Sequence, residues 1–122
     1  MNTVLIMLGS NTQAEMNLTL AKEKLATYFE IVSKSSRIIT KPFGVQYCSD
    51  FHNEALNLLS DETFEKTKAI FKQIESDLGR KPDSKVTGII PIDIDLIFWN
   101  ETLVHHDYER FSFVIKCINE VR

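Results

Sequence analysis

The chain has 122 residues, 43% hydrophobic, 10% aromatic and 25% charged, a composition that suits a soluble globular domain long enough to bury a core without disulfides or a structural metal. Fourteen Lys and Arg against seventeen Asp and Glu leave a net charge of -3, which excludes a global pull toward nucleic acid or an anionic membrane. Cys48 and Cys117, with three histidines, match neither a zinc spacing nor a disulfide framework, so a reducing compartment is expected. The apolar start lacks the basic flank of a signal peptide, and no apolar run nears the roughly 20 residues of a spanning helix. A single cytoplasmic domain over 1–122 is the expectation, with the oligomeric state open.

Val4 to Leu8 is a continuous apolar run, the pattern of a central strand covered on both faces, ended by the turn residues Gly9-Ser10-Asn11. Thr12 with Glu15 reads as a capping box, and Leu18, Ala21, Leu25 and Tyr28 recur at helical spacing, predicting a helix from about Ala14 to Tyr28. Phe29 to Thr40 is rich in β-branched residues, and Phe51 to Leu59 places Ala55, Asn57 and Leu59 on one alternate face, so both read as strands. Proline and glycine make Lys41 to Asp50 a loop. Ser60-Asp61-Glu62 supplies an N-cap and first-turn carboxylates for a second helix with the inner stripe Phe64, Thr67, Phe71, Ile74 and Leu78, stopped by Gly79. Arg80 to Gly88 is polar and loop-like, and Ile89 to Trp99 is again extended. The order β, α, β, β, α, β predicts an α+β ferredoxin-like sandwich, a mainly antiparallel sheet with helices on one face.

Chemistry concentrates in Ile92-Asp93-Ile94-Asp95-Leu96. Alternation sends the three apolar side chains to one face and both carboxylates to the other, with the aspartate Cα atoms about 6.5 Å apart. Like charges that close repel, and a hard divalent cation such as Mg²⁺, shared with phosphate oxygens and water, removes the repulsion. A solvated strand face carrying two aspartates is the other reading these five residues allow.

Leu8-Gly9-Ser10-Asn11, Thr40-Lys41-Pro42-Phe43-Gly44, Phe51-His52-Asn53-Glu54-Ala55, Ile74-Glu75 with Gly79-Arg80, and Ile92-Asp93-Ile94-Asp95 together resemble the 6-hydroxymethyl-7,8-dihydropterin pyrophosphokinase family in residue, order and spacing. The resemblance runs from Leu5 to Phe113. It implies transfer of a pyrophosphoryl group from ATP, as co-substrate, to the hydroxymethyl group of a pterin in folate biosynthesis, with two Mg²⁺. Its metal-bridging aspartates fall on Asp93 and Asp95 and its pterin-reading asparagine on Asn53, which offers both donor and acceptor to the amide edge of a pterin. Thr40 and Phe43 match loop positions lining the pterin pocket, and Phe51 and Phe113 match its stacking aromatics. Arg80 matches a basic residue that closes over the site and counts with the aspartates as catalytic. Glu75, His105 and Arg110 fall at the nucleotide.

Ordinary structural roles remain open for several of these residues: Arg80 also complements a helix end, and His105 with His106 also fits a polar surface loop. The chain departs from the family pattern at the phosphates. Ile90 and Phe111 stand where the family carries arginines, Thr87 where it carries tryptophan, and His106 where it carries tyrosine. Two functional readings follow: a pyrophosphokinase weakened by the missing arginines, and a degenerate relative that binds a pterin-like heterocycle without efficient transfer.

Overall fold

In the computed structural model, which describes residues 1–42 and 49–122 apart from the Lys85 side chain, the first apolar run is the middle of the sheet. It forms β1 (Asn2–Ser10), buried from Val4 onward because strands flank it and helical layers cover it. Then come α1 (Ala14–Tyr28), the short strands β2 (Glu30–Lys34) and β3 (Ile38–Thr40), β4 (Phe51–Ser60), α2 (Phe64–Asp77) and a single turn, α3 (Ser84–Thr87). The remaining elements are β5 (Asp93–Trp99), β6 (Thr102–Leu103), α4 (Asp107–Arg110) and α5 (Ser112–Val121). Strand order is β2-β4-β1-β5-β6 with β3 also on β4, and every pairing among the described residues is antiparallel. This is the ferredoxin-like α+β arrangement the element order predicts.

On one face, Val4, Ile6 and Leu8 meet Leu56, Leu58, Ile94 and Leu96 under Leu18, Ala21 and Leu25 of α1 and Ile70, Phe71 and Ile74 of α2. The two helices read from the sequence therefore do share a face. The other face, with Leu5, Met7, Ala55 and Ile97, is covered by Val114, Cys117, Ile118 and Val121 of α5, a helix the sequence reading did not place.

Several local expectations are corrected. The Thr12–Glu15 capping box does not form: Gln13 is the N-cap in left-handed conformation (φ 43), and Glu15 instead takes the Arg37 guanidinium at 2.7 Å. For α2 the cap is Thr63, whose Oγ1 accepts from the Lys66 amide at 3.1 Å, while the Ser60 hydroxyl pairs with that of Thr67. Tyr28 is 55% exposed, outside the inner stripe of α1. The extended run 29–40 is two strands, interrupted where the Ser35 hydroxyl accepts from the Ala55 amide at 2.8 Å. Residues 89–92 are not strand. Asn11 holds that stretch, its Oδ1 accepting from the Ile90 amide and its Nδ2 donating to the Gly88 carbonyl, both at 2.7 Å.

Candidate active site

Register places Asn53, Gly9 and Asp93 side by side across β4, β1 and β5, and Ala55, Met7 and Asp95 in the next row on the same face. Thr40 on β3 lies opposite Phe51. Phe111, Phe113 and Val114, brought by the turn into α5, form the wall of a cleft over these rows. The floor is open because residue 9 is glycine: a Cβ there would lie 3.5 Å from Asn53 Oδ1 and 3.9 Å from the Phe51 ring.

Buried Asn53 is oriented by the paired strands β3 and β4. Its Nδ2 donates to the Ile38 carbonyl and Thr40 Oγ1, both at 3.0 Å, and to the Phe51 carbonyl at 3.3 Å. Where the sequence reading offers a ligand both halves of the amide, these bonds occupy the donor and leave Oδ1 facing the cleft as an acceptor.

The carboxylates are unequal. Asp93 Oδ1 accepts from Arg80 Nη1 at 2.5 Å, and the same nitrogen reaches Glu75 Oε2 at 3.2 Å and the Ile92 carbonyl at 3.3 Å. Glu75 is buried under the start of β5, with Oε2 accepting from the Ile94 amide at 2.7 Å. That burial pushes its carboxyl above the usual range, against the lowering pull of the amide and of Arg80. Among the described residues Asp95 has no comparable cation. Loss of hydration, followed by repulsion from Asp93, pushes its carboxyl up to about 9, so it carries a proton at neutral pH. His105 Nδ1 accepts from the Asp107 amide at 3.1 Å, which leaves the Nε2 proton facing Asp95 Oδ1 at 3.7 Å.

Thr40, Phe51, Asn53, Asp93, Asp95 and Phe113 therefore line one cleft. His105 sits in an adjoining groove, bordered by Lys68 and Lys72 of α2, which shares Asp95 with the cleft. Glu75 and Arg80 brace the beginning of β5 and border a further recess with Lys81. Arg110 is exposed at the end of α4, its guanidinium 4.9 Å from the Phe111 ring, and borders neither cleft nor groove. Phe43 lies outside the described residues. Ile90 is buried, so an arginine there would enter the core and not the cleft.

The sequence reading missed Asp107, which borders the cleft, and Lys68 and Lys72. For Asp107 the signal was its place directly after two histidines. For the lysines it was a spacing of four on the outer side of a helix whose inner stripe had taken the attention. Asp93, Asp95 and Asp107 border one cleft, and their oxygens are donors of the kind a hard divalent cation takes, while the ligand atoms already gathered within 4.8 Å of one another among the described residues are those of His105, His106 and Asp107.

Comparison with protein families puts this ferredoxin-like sheet, with its aromatic cleft beside paired carboxylates, among the kinase transferases. The chain is a member of the 7,8-dihydro-6-hydroxymethylpterin-pyrophosphokinase family, whose model matches residues 5–122. No individual curated protein matches it. The family implies pyrophosphate transfer from ATP to hydroxymethyldihydropterin in folate synthesis.

Proposed function

We propose that this chain performs the family reaction with Mg²⁺ held by Asp93 and Asp95, in the two-ion arrangement the resemblance implies. One observation carries the reading: Asp95 is the residue common to the aromatic cleft and the lysine-bordered groove, so the carboxylate pair stands where a heterocycle in one and a nucleotide in the other would meet. Phe51 and Phe113 take the flat faces of the pterin, and Asn53 Oδ1 takes an N–H of its edge. The hydroxymethyl oxygen then attacks the β-phosphorus in line, and AMP leaves. When bound, Mg²⁺ neutralises the phosphate oxygens across which charge shifts. Arg80 and Glu75 hold Asp93 and the Ile94 amide in place, and His105 offers its Nε2 proton beside the reacting phosphates. Most of the acceleration is positioning and electrostatic stabilisation.

Two residues favour the second reading, a pterin binder with little transfer. Phe111 adds apolar surface to the cleft where the family pattern has an arginine, and Ile90 is buried in the core. Losing one preorganised donor commonly costs about 10²–10³ in turnover, so slow transfer is the expected phenotype. The test is a single-turnover assay with excess protein, Mg²⁺-ATP and the pterin, run for the parent and for the Asp93→Asn/Asp95→Asn variant. Slow product formation in the parent and none in the variant supports the enzyme. Tight pterin binding with no product in the parent establishes the binder.

A further inference from the structure

We propose that Lys68 and Lys72 are the residues that grip the nucleotide's polyphosphate, replacing the arginines this chain lacks. The inference rests on the pyrophosphokinase reading and adds to it a pair of positioning residues on α2. The lysines stand four apart on one side of the helix and border the groove that ends at Asp95 and His105. Four residues of helix rise about 6 Å, so the two charges spread along the groove and suit an extended polyanion better than a single phosphate.

Contacts within the helix account for these charges only in part. Like charges four apart repel on a helix surface. Lys68 has no carboxylate partner among the described residues, and its ammonium instead lies 5.4 Å from the centre of the Phe64 ring. Lys72 Nζ lies 3.2 Å from Glu75 Oε1 while Oε2 takes the Ile94 amide and Arg80, so a single carboxylate charge is shared between Lys72 and Arg80. Lys72 also borders the recess that holds Arg80 and Lys81, which makes it the link between two cationic stretches.

The groove is also accessible from outside. β6 pairs only with Phe98 and Trp99, so among the described residues no strand covers the outer edge of β5 beside Ile94 and Asp95. A chain of phosphates lying there reaches Asp95 at one end and both ammonium groups along its length. Lysine is a mobile point charge and not a planar fork, so this clamp gives affinity with loose geometry, in keeping with slow transfer.

Calorimetric titration of the full chain with Mg²⁺ and α,β-methylene-ATP tests the assignment, with parallel titrations of adenosine and of the pterin. For Lys68→Gln/Lys72→Gln the nucleotide affinity should fall about tenfold or more, as charge-assisted contacts to phosphate are lost. Its salt dependence should flatten, and adenosine and pterin affinities should stay as in the parent. Lys68→Arg/Lys72→Arg should restore the nucleotide. Unchanged nucleotide affinity in the glutamine variant, or an equal loss for adenosine, overturns the clamp and leaves the pyrophosphokinase reading standing. A parent that binds the pterin but no Mg²⁺-nucleotide overturns both.

Discussion

Gly9 shows how much one missing side chain contributes to this site. Its position between Asn53 and Asp93 is the floor of the cleft, and its Cβ would sit at ordinary contact distance from Asn53 Oδ1. The backbone there is extended strand, so a larger residue is tolerated by the fold and not by the ligand. Gly9→Ala, whose Cβ meets only ordinary contacts, should leave thermal stability near that of the parent while weakening the pterin about tenfold, the penalty of roughly 1–3 kcal/mol for forcing atoms into filled space. Calorimetry beside a melting curve reads both effects. Asp95 makes the complementary case for charge. Folded, its carboxyl keeps its proton to about pH 9, whereas the unfolded chain releases it near the ordinary 3.8. The folded state thus binds the extra proton between those values, and the stability this group contributes falls as pH rises from about 4 to about 9. In EDTA, urea unfolding of Asp95→Asn should show a smaller loss between pH 5 and pH 8 than the parent. Mg²⁺ must displace the proton, so its affinity for the parent should rise with pH. Equal pH slopes in parent and variant would show that Asp95 ionises normally.

Elements meet the site through their ends. α2 starts at Thr63 with a side-chain cap and finishes just before Arg80, so its length sets how far Glu75 and Arg80 reach under β5. α1 starts at Gln13 in a left-handed conformation without a side-chain cap. The two starts predict opposite signs. Thr63→Ala should cost about 1 kcal/mol, the usual loss of a Thr cap. Gln13→Gly should be neutral or stabilising by up to about 1 kcal/mol, because glycine avoids the Cβ conflict of that conformation. Chemical denaturation of the two variants measures both. The same starts show a limit of local sequence patterns. Thr12 and Glu15 have the right residues at the right spacing for a cap, yet the Arg37 guanidinium competes for Glu15 from a distant part of the chain and bridges it to buried Glu54. A tertiary ion pair outweighs a pattern four residues long.

For the molecule as a whole, the sheet divides its work between two faces. One is closed by α1 and α2 except for the lysine-bordered groove at β5; the other is closed only in part by α5, and the uncovered part is the cleft. Truncations on the two sides should therefore separate stability from binding. Leu25→Ala and Ile118→Ala should each cost about 2–5 kcal/mol, the range for buried aliphatic truncations. Only Ile118→Ala should also weaken the pterin, since α5 carries Phe113 and Val114 to the cleft. Equal binding losses would mean that the cleft depends on overall stability and not on its own wall.

Much of this architecture is legible in the amino-acid order because it depends on residues near one another in the chain. The run Val4 to Leu8, ended by Gly9-Ser10-Asn11, has the pattern of a strand covered twice, and alternation in 92–96 separates the aspartates from the apolar side chains whatever lies around them. Asn53, Phe51 and Thr40 were legible as a group only through the family resemblance, and the pairing of β3 with β4 is what brings them together. Other features depend on what the fold brings within a few ångströms. Asp107 and Phe111 reach the cleft because a short turn and α5 fold back over the sheet, and no periodicity reports that return. Glu75, matched by resemblance to a nucleotide position, spends its carboxylate on the Ile94 amide and Arg80. The raised pKa of Asp95 likewise arises from lost water and a neighbouring charge, conditions that exist only once the chain has packed. Covalent order sets which face a side chain takes, and burial and long-range contact set what that side chain can do there.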